Sequence, residues 1–336
     1  MRKRWLSTAL AWATGLQLRR PERLVFETAS CCNCRCPICE ASEERPGRLR
    51  GCMEWDLFIG LADEAALLRP AMVCLHAGGE PLLHPRITDM VRELHKRNLP
   101  THLCTNGLLL TSETASRLAL AGLDSLVISH PGISRENYEA CRGCPPQDGG
   151  DARLTKAMVA FGRQGGKLIL RTTVLPCFVP SGPNDMIEFL RRWLGVPGLN
   201  GIEFTGYQPW PRHFREDLLR KVYRVPRRCE VSLDSMCVLW DGTITPCSHD
   251  VGGRLAIGRW PNVALRDAYN CGQMRRVRRA NLRRSKRAEL CVRCLLARSP
   301  CPLAVVRVDK WKEVSDESKE AWVRATGRRC WNEIRA

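Results

Sequence analysis

Five cysteines fall within nine positions near the start of the chain, in the segment CCNCRCPIC at residues 31–39. Three of them, Cys32, Cys36 and Cys39, are spaced as C-x-x-x-C-x-x-C. Three thiolates can hold three irons of a 4Fe–4S cube and leave the fourth iron open to another ligand. The alternative is a closed zinc site, in which one of the other two cysteines would complete a tetrahedron. The segment therefore predicts a metal centre of one kind or the other.

Three further segments carry polar or glycine residues directly after apolar runs. The first is HAGGEPLLHP at residues 76–85, where glycine allows main-chain groups to approach a ligand closely. The others are CTNGLLLT and GLDSLVISHPGISRENYEACRG. Each could also be ordinary turn chemistry. Their candidate residues are Gly78, Gly79, Glu80, Pro81, Asn106, Ser129, Tyr138 and Arg142.

A second group of cysteines lies beyond residue 228. It includes the C-x-x-C pair of Cys291 and Cys294. Before that pair, Gly242 lies between Cys237 and Cys247. The spacing fits either an iron–sulfur site or a structural zinc ribbon made of two cysteine pairs. The candidate ligands are Cys247, Cys291 and Cys294 together with either Cys229 or Cys237, and the spacing does not choose between those last two.

The elements that must position these residues are predicted by short apolar runs that alternate with helical patterns. Such alternation builds parallel sheets, so the sequence predicts six βα repeats. The first cysteine segment and the three polar turns each follow a strand, at the sheet edge that carries the chemistry in α/β folds. The predicted strands are LVFET from Leu24, MVCLHA from Met72, THLCT from Thr101, SLVIS from Ser125, LILRTTV from Leu168 and GIEFT from Gly201.

Helices are predicted between these strands from apolar spacing and end signals. They cover residues 55–68, residues 85–96 after a proline start, and residues 112–121 before Gly122. Asn184 is predicted to cap a further helix.

In register with the βα repeat, these motifs resemble the signature of the radical S-adenosylmethionine (SAM) superfamily. The resemblance covers roughly residues 20–300 and implies a partial (β/α)6 TIM-like barrel. It implies that Cys32, Cys36 and Cys39 hold a 4Fe–4S cluster whose open iron binds SAM. Reductive cleavage of SAM would then give a 5'-deoxyadenosyl radical that abstracts a hydrogen atom from the substrate. The implied SAM-binding residues are Gly78, Gly79, Glu80, Pro81, Asn106, Ser129 and Arg142.

Within that resemblance, Ser129 and Arg142 would contact the ribose side and the carboxylate of SAM, respectively. The chain departs from the family pattern at His130 and Pro131, where serine, leucine or aspartate is commoner.

The C-terminal cysteines resemble the auxiliary-cluster extension of the same superfamily, in its short "twitch" or longer SPASM form. This implies one auxiliary 4Fe–4S cluster. Asp241 and Gly242 lie between two β-prone runs and predict a hairpin turn there. The predicted organisation is an amphipathic segment over residues 1–20, a radical SAM core over 21–224, and an auxiliary-cluster domain with a tail over 225–336.

Charge and composition bound the other possibilities. The chain has 336 residues and a formal charge of +18, with a basic run at residues 274–287. An RNA-modifying enzyme is therefore an alternative, although a solvated basic helix face is commoner than a nucleic-acid site. A non-catalytic zinc-binding interaction protein is the second alternative. We expect a cytoplasmic protein, because no stretch reaches the roughly 18 apolar residues of a membrane span and the N-terminal segment has no cleavage signal.

The resemblance implies an oxidoreductase or maturase with two kinds of partner. One is an electron donor such as flavodoxin or ferredoxin. The other is the substrate, either a small metabolite of the aminocyclitol or sugar type or a ribosomal peptide. Because only about 20 residues precede the first strand, too few for a recognition domain, a small molecule is slightly favoured over a peptide that the chain recognises by itself.

Overall fold

The computed structural model describes residues 18–36, 39, 50–131, 134–143, 145–173, 183–205, 229, 231–283, 304–315, 317–319 and 321. Six parallel strands form its centre, each hydrogen-bonded to the next along the chain. Together they make an open sheet, so the predicted partial TIM-like α/β fold and all six predicted strands are confirmed. The strands are β1 Arg23–Phe26, β2 Met72–Cys74, β3 Thr101–Thr105, β4 Ser125–Ser129, β5 Lys167–Thr173 and β6 Leu199–Thr205.

Helices connect these strands and cover one face of the sheet. The three predicted over residues 55–121 are confirmed to within about two residues, the usual uncertainty of a helix end. Asn184 lies in the first turn of its helix instead of capping it, because Pro183 already has the backbone angle of a first helical residue. The helices are α1 Trp55–Leu68, α2 Ile87–Lys96, α3 Ser112–Leu120, α4 Arg135–Arg142, α5 Gly150–Gly162 and α6 Pro183–Leu194.

The sheet continues past both ends of the six-stranded unit. Strand β7 Ser235–Val238 pairs parallel to β1, and β8 Thr243–Thr245 and β9 Gly258–Arg259 follow it in antiparallel order. At the other edge, β10 Ala304–Arg307 pairs antiparallel to β6. The predicted Asp-Gly hairpin joins β7 to β8, with Gly242 at a φ of +87° that favours glycine.

Among the described residues, the added strands are accompanied by the helices α7 Val231–Asp234, α8 Leu265–Asn270, α9 Gly272–Arg283 and α10 Val308–Lys312. The carboxylate of Glu64 on α1 holds the segment around residues 260–265 against that helix. It accepts hydrogen bonds from the Trp260 indole at 2.7 Å and the Leu265 amide at 2.6 Å. The predicted domain boundary near residue 225 and residues 1–17 lie outside the described residues, and this division stays a prediction.

Side chains alternate between the two faces of the strands, which decides what each face can do. In β3, Leu103 packs in the main core against the helices, whereas His102 and Cys104 point to the opposite, concave face. The concave face therefore offers polar side chains, while the motif loops lie at the carboxyl edge above it. Among the described helices, the longest apolar stretches fall short of the length of a membrane span.

Candidate functional site

In the cysteine loop after β1, the buried Cys34 lies beside both Cys32 and Cys36. Cys34 is 4% exposed, and its side chain hydrogen-bonds to the sulfurs of Cys32 and Cys36. The bond from Cys34 lowers the pKa of Cys32, and it lowers the pKa of Cys36 to about 6, with Arg142 contributing. A low pKa favours the thiolate, which is the form that binds metals. The Cys36 and Cys32 sulfurs therefore suit an iron–sulfur cluster.

Cys39 enters the same loop through its backbone. Its N–H donates to the Cys36 carbonyl at 3.0 Å, which turns the chain back towards the other cysteines. Among the residues that the structure describes, no three Cys, His, Asp or Glu side chains are grouped as a metal-holding set. The ligand set Cys32, Cys36 and Cys39 stays a prediction.

The turn after β2 lies against this loop at very short range. A Cβ on Gly79 would stand 2.2 Å from the Ala29 carbonyl oxygen and 2.6 Å from the Cys31 oxygen, so a side chain cannot fit. At Gly78, a Cβ would stand 2.7 Å from a Val251 methyl group. The Glu80 N–H donates to the Cys31 carbonyl at 2.8 Å. These contacts explain why the sequence needs glycines here.

The carboxylate of Glu80 connects this turn to the one after β3. It is 2% exposed and accepts hydrogen bonds from the Thr105 hydroxyl at 2.6 Å, the Asn106 amide at 2.7 Å and the Leu82 amide at 3.1 Å. Burial raises the pKa of Glu80, and the three hydrogen bonds oppose that rise. Pro81 begins the short 3-10 helix Pro81–Leu83, which presents the Leu82 amide.

Arg142, the last residue of α4, joins the predicted SAM-binding residues to the cysteines. Its Nη2 donates to the carbonyl oxygens of Asn106, at 3.0 Å, and of Ser129. Its Nη1 lies 3.7 Å from the Cys34 sulfur and 3.9 Å from the Cys36 sulfur. The ends of β3 and β4 and the cysteine loop therefore meet at one guanidinium.

Asn106 supplies a second link to the cysteine loop. Its amide nitrogen donates to the Asn33 side chain at 2.7 Å and lies 3.4 Å from the Cys34 sulfur. The predicted residues Gly79, Glu80, Asn106, Ser129 and Arg142 thus gather with the cysteines at the carboxyl edge of β1 to β4. Their contacts with SAM stay predictions.

Below this edge, the concave face carries polar residues next to Ser129 that the motif analysis missed. Ser129, Arg171 and Glu203 stand in register on β4, β5 and β6, and the Arg171 guanidinium pairs with the Glu203 carboxylate at 2.8 Å. His76 accepts a hydrogen bond from the Cys104 amide at 3.2 Å. A polar residue at every second position of an otherwise apolar strand is the signal that could have found them.

Burial keeps the histidines of this face neutral. It lowers the pKa of His76 well below its ordinary value, with the neighbouring His102 adding to the shift. It lowers the pKa of His102 and of His249 to about 4. At neutral pH these rings are therefore hydrogen-bonding groups and carry no charge.

The described C-terminal cysteines occupy different surroundings. Asn281 of α9 holds the backbone of Cys229 on both sides, since its Oδ1 accepts from the Cys229 N–H at 2.9 Å and its Nδ2 donates to the Cys229 carbonyl. Cys237 is fully buried on β7, in an apolar cluster with Val25 and Leu239. The sulfur of Cys247 accepts a hydrogen bond from the His249 amide at 3.4 Å. Cys291 and Cys294 lie outside the described residues.

Two family models match the chain. The model described as the radical SAM superfamily matches residues 26–176, which include the cysteine loop and the turns after β2, β3 and β4. Residues 26–176 of the chain therefore form a radical SAM domain. A second model, SPASM, described as an iron–sulfur cluster-binding domain, matches residues 229–295. The predicted family and its C-terminal iron–sulfur extension are therefore confirmed, and these domains imply a SAM-binding iron–sulfur cluster and auxiliary iron–sulfur binding.

Relatives with known names align with parts of this chain. It is 39% identical over 110 residues to the tungsten-containing aldehyde ferredoxin oxidoreductase cofactor-modifying protein of Pyrococcus furiosus, covering 32% of this chain and 30% of that one. It is 30% identical over 126 residues to the PqqA peptide cyclase of Granulibacter bethesdensis, covering 37% and 32%. The chain thus spans about a third of the length of these curated relatives.

A solved structure shares the fold. The crystal structure of Streptococcus suis SuiB bound to precursor peptide SuiA aligns with a TM-score of 0.62 at 16% identity, covering 92% of this chain and 76% of that chain. At this identity the likeness concerns the fold alone. It supports the architecture of the open sheet with its added C-terminal strands.

Replacing Gly79 by alanine should displace the cysteine loop. The added Cβ meets two backbone carbonyl groups that cannot rotate away. Overpacking of this kind costs about 1–3 kcal/mol, so we expect SAM affinity to fall about tenfold or more. Equilibrium dialysis of labelled SAM against anaerobically reconstituted protein measures this.

Gly150→Ala is the matched control, because a Cβ there meets no atom closer than 3.5 Å. Its SAM affinity should equal that of the unmodified chain. Equal affinity in Gly79→Ala would show that the close packing of the turn against the loop is unimportant.

Proposed function

We propose that this chain is a radical SAM enzyme that removes a hydrogen atom from a peptide substrate. The observation that carries the proposal is the convergence of the cysteine loop, the Glu80 turn, the Asn106 turn and Arg142 at one sheet edge, in a chain that matches the family over those segments. A shared fold alone does not fix an activity, whereas a site of matched residues supports one.

In the proposed site, Cys32, Cys36 and Cys39 hold the 4Fe–4S cluster. A cluster held by these thiolates would supply the electron for the reductive cleavage of SAM to a 5'-deoxyadenosyl radical. The backbone at Gly78 and Gly79 binds the amino group of SAM, while Ser129 and Arg142 contact its ribose side and its carboxylate. Glu80 and Pro81 fix the turn that presents these backbone groups, and Asn106 fixes the next turn.

The concave face would position the substrate beneath SAM. The ion pair of Arg171 and Glu203 stands in register with Ser129, so it borders the site proposed for SAM. The neutral rings of His76 and His102 pack with centroids 5.2 Å apart. These groups can donate and accept hydrogen bonds, and the buried surroundings exclude water from a reactive radical.

For the auxiliary site we propose one 4Fe–4S cluster with Cys229, Cys247, Cys291 and Cys294 as ligands. Three observations favour Cys229 over Cys237. Asn281 fixes the Cys229 backbone, and the SPASM match begins at that residue. Cys237, by contrast, is fully buried among apolar side chains, surroundings that favour a packing role for its side chain.

A peptide is the proposed substrate because the partly aligned relatives include PqqA peptide cyclases. A cytoplasmic flavodoxin or ferredoxin is the proposed electron donor. Anaerobic incubation with candidate peptides deuterated at carbon tests the substrate class, since abstraction carries deuterium into 5'-deoxyadenosine. Transfer only from a deuterated sugar or aminocyclitol would show a small-metabolite enzyme instead.

The RNA-modifying alternative finds less support. Within the basic run, Arg278 of α9 is fully buried, its Nε donates to the Leu233 carbonyl at 3.0 Å, and its guanidinium stacks 4.3 Å from the Tyr269 ring centroid. This arginine therefore serves packing. The zinc-binding alternative predicts a colourless protein that contains zinc.

Replacing Cys32, Cys36 and Cys39 together by alanine should abolish SAM cleavage, because the open iron is lost with its ligands. The measurement is 5'-deoxyadenosine formed under dithionite by the reconstituted protein. Replacing Cys141 by alanine provides a control, since this buried thiol lies outside the proposed ligand set. Continued 5'-deoxyadenosine formation by the triple variant would refute the proposed cluster site.

The choice between the two auxiliary candidates gives a separate prediction. Cys229→Ala should lower iron by about four atoms per chain, one cubane, whereas Cys237→Ala should leave iron content unchanged. Colorimetric iron and sulfide analysis after anaerobic reconstitution measures both variants. The reverse pattern would assign the ligand to Cys237, and unchanged iron in both would place the auxiliary site elsewhere.

A further inference from the structure

The guanidinium of Arg142 occupies an unusual position for a group expected at the SAM carboxylate. The residue is only 5% exposed, and two carbonyl groups, those of Asn106 and Ser129, already accept from its Nη2. Its Nη1 points between the sulfurs of Cys34 and Cys36, at 3.7 and 3.9 Å. Part of this charge is therefore directed at the cysteine loop itself.

We propose that Arg142 is a positioning residue that holds the sulfurs of the cysteine loop and raises the reduction potential of the SAM-binding cluster. This inference rests on the proposed function and adds a role for Arg142 that does not require SAM. The step concerned is the transfer of one electron to the cluster, from the 2+ to the 1+ state, with an external one-electron donor as the reductant.

The direction of the effect follows from charge. Reduction adds one negative charge to the cluster, and the potential of such clusters depends on nearby charge, on hydrogen bonds to sulfur and on solvent exposure. An arginine stays protonated at every relevant pH. Because Arg142 is buried, solvent and salt screen its field only weakly. The positive charge therefore favours the reduced cluster.

The surroundings hold the guanidinium in place. Gly143 ends α4 immediately after Arg142, with a φ of +72° that glycine adopts without strain. The ring of Tyr138 lies 5.8 Å from the guanidinium carbon. The carboxylate of Glu80 lies within electrostatic range of Arg142, and its oxygens accept hydrogen bonds from Leu82, Thr105 and Asn106.

The test compares Arg142→Gln with Arg142→Lys in the full, reconstituted chain without SAM. Glutamine can still donate to the two carbonyl groups but carries no charge, whereas lysine keeps the charge. Arg135→Gln is the matched control, because Arg135 lies on the same helix with a side chain that is 64% exposed and paired with Glu139. The measurement is a dithionite titration followed by electron paramagnetic resonance, with the SAM-binding cluster identified by the change that SAM later causes in its signal.

We expect Arg142→Gln to lower the ratio of reduced to oxidised cluster at a fixed potential by about tenfold, which is about 59 mV for a one-electron couple. In Arg142→Lys, the ratio of reduced to oxidised cluster should stay within about threefold of that in the unmodified chain, because lysine keeps the positive charge. Arg135→Gln should leave the ratio unchanged.

An unchanged ratio in Arg142→Gln would overturn the proposal, even if SAM affinity fell, since that result would confine Arg142 to the SAM carboxylate. If Arg142→Gln retains no cluster, Arg142→Lys decides. If Arg142→Lys has nearly the same ratio of reduced to oxidised cluster as the unmodified chain, the proposal is supported. If that ratio falls tenfold, or if Arg142→Lys also loses the cluster, the proposal is overturned. Failure of the proposed function is distinguishable, because the unmodified chain would then have no cluster signal that responds to SAM.

Discussion

The buried carboxylate of Glu80 is the interaction on which the arrangement of the site depends. Its own N–H is bonded to the loop after β1, and its oxygens accept from the residues that end β3 and begin the next turn. A buried charged acceptor with three donors is held much more firmly than an exposed one. The cysteine loop and the turns after β2 and β3 are thereby fixed relative to one another by the folded chain.

This constraint explains why the chemistry lies at a single edge of the sheet. Parallel strands direct their carboxyl ends the same way, so four loops that are distant in sequence meet above β1 to β4. Arg142 then links the end of β4 to the cysteine loop. The added strands extend the same sheet, since β7 lies beside β1 and β10 beside β6. The strand β7, near the start of the SPASM match, therefore lies beside β1, the strand that leads into the cysteine loop.

Much of this could be predicted from the sequence because the informative signals are local. The six strands are short apolar runs bounded by turn residues, and Gly79 of the Glu80 turn stands where any side chain would collide with a carbonyl group. The pairing of Arg171 with Glu203 could not be predicted, because it depends on the register of β5 against β6. The central place of Cys34 was also missed, since spacing alone does not distinguish a buried thiol from a ligand. The environments of Cys229 and Cys237 depend largely on residues distant in sequence, Asn281 beside Cys229 and Val25 beside Cys237.

The central claim is that the cysteine loop carries a cluster with one iron open to SAM. Pulsed electron–nuclear resonance on the reduced full chain, with SAM labelled with nitrogen-15 at its amino group, tests this most directly. The account predicts a hyperfine coupling between the labelled nitrogen and the cluster, because the amino group binds the open iron. A reduced cluster without such a coupling at saturating SAM would contradict the account.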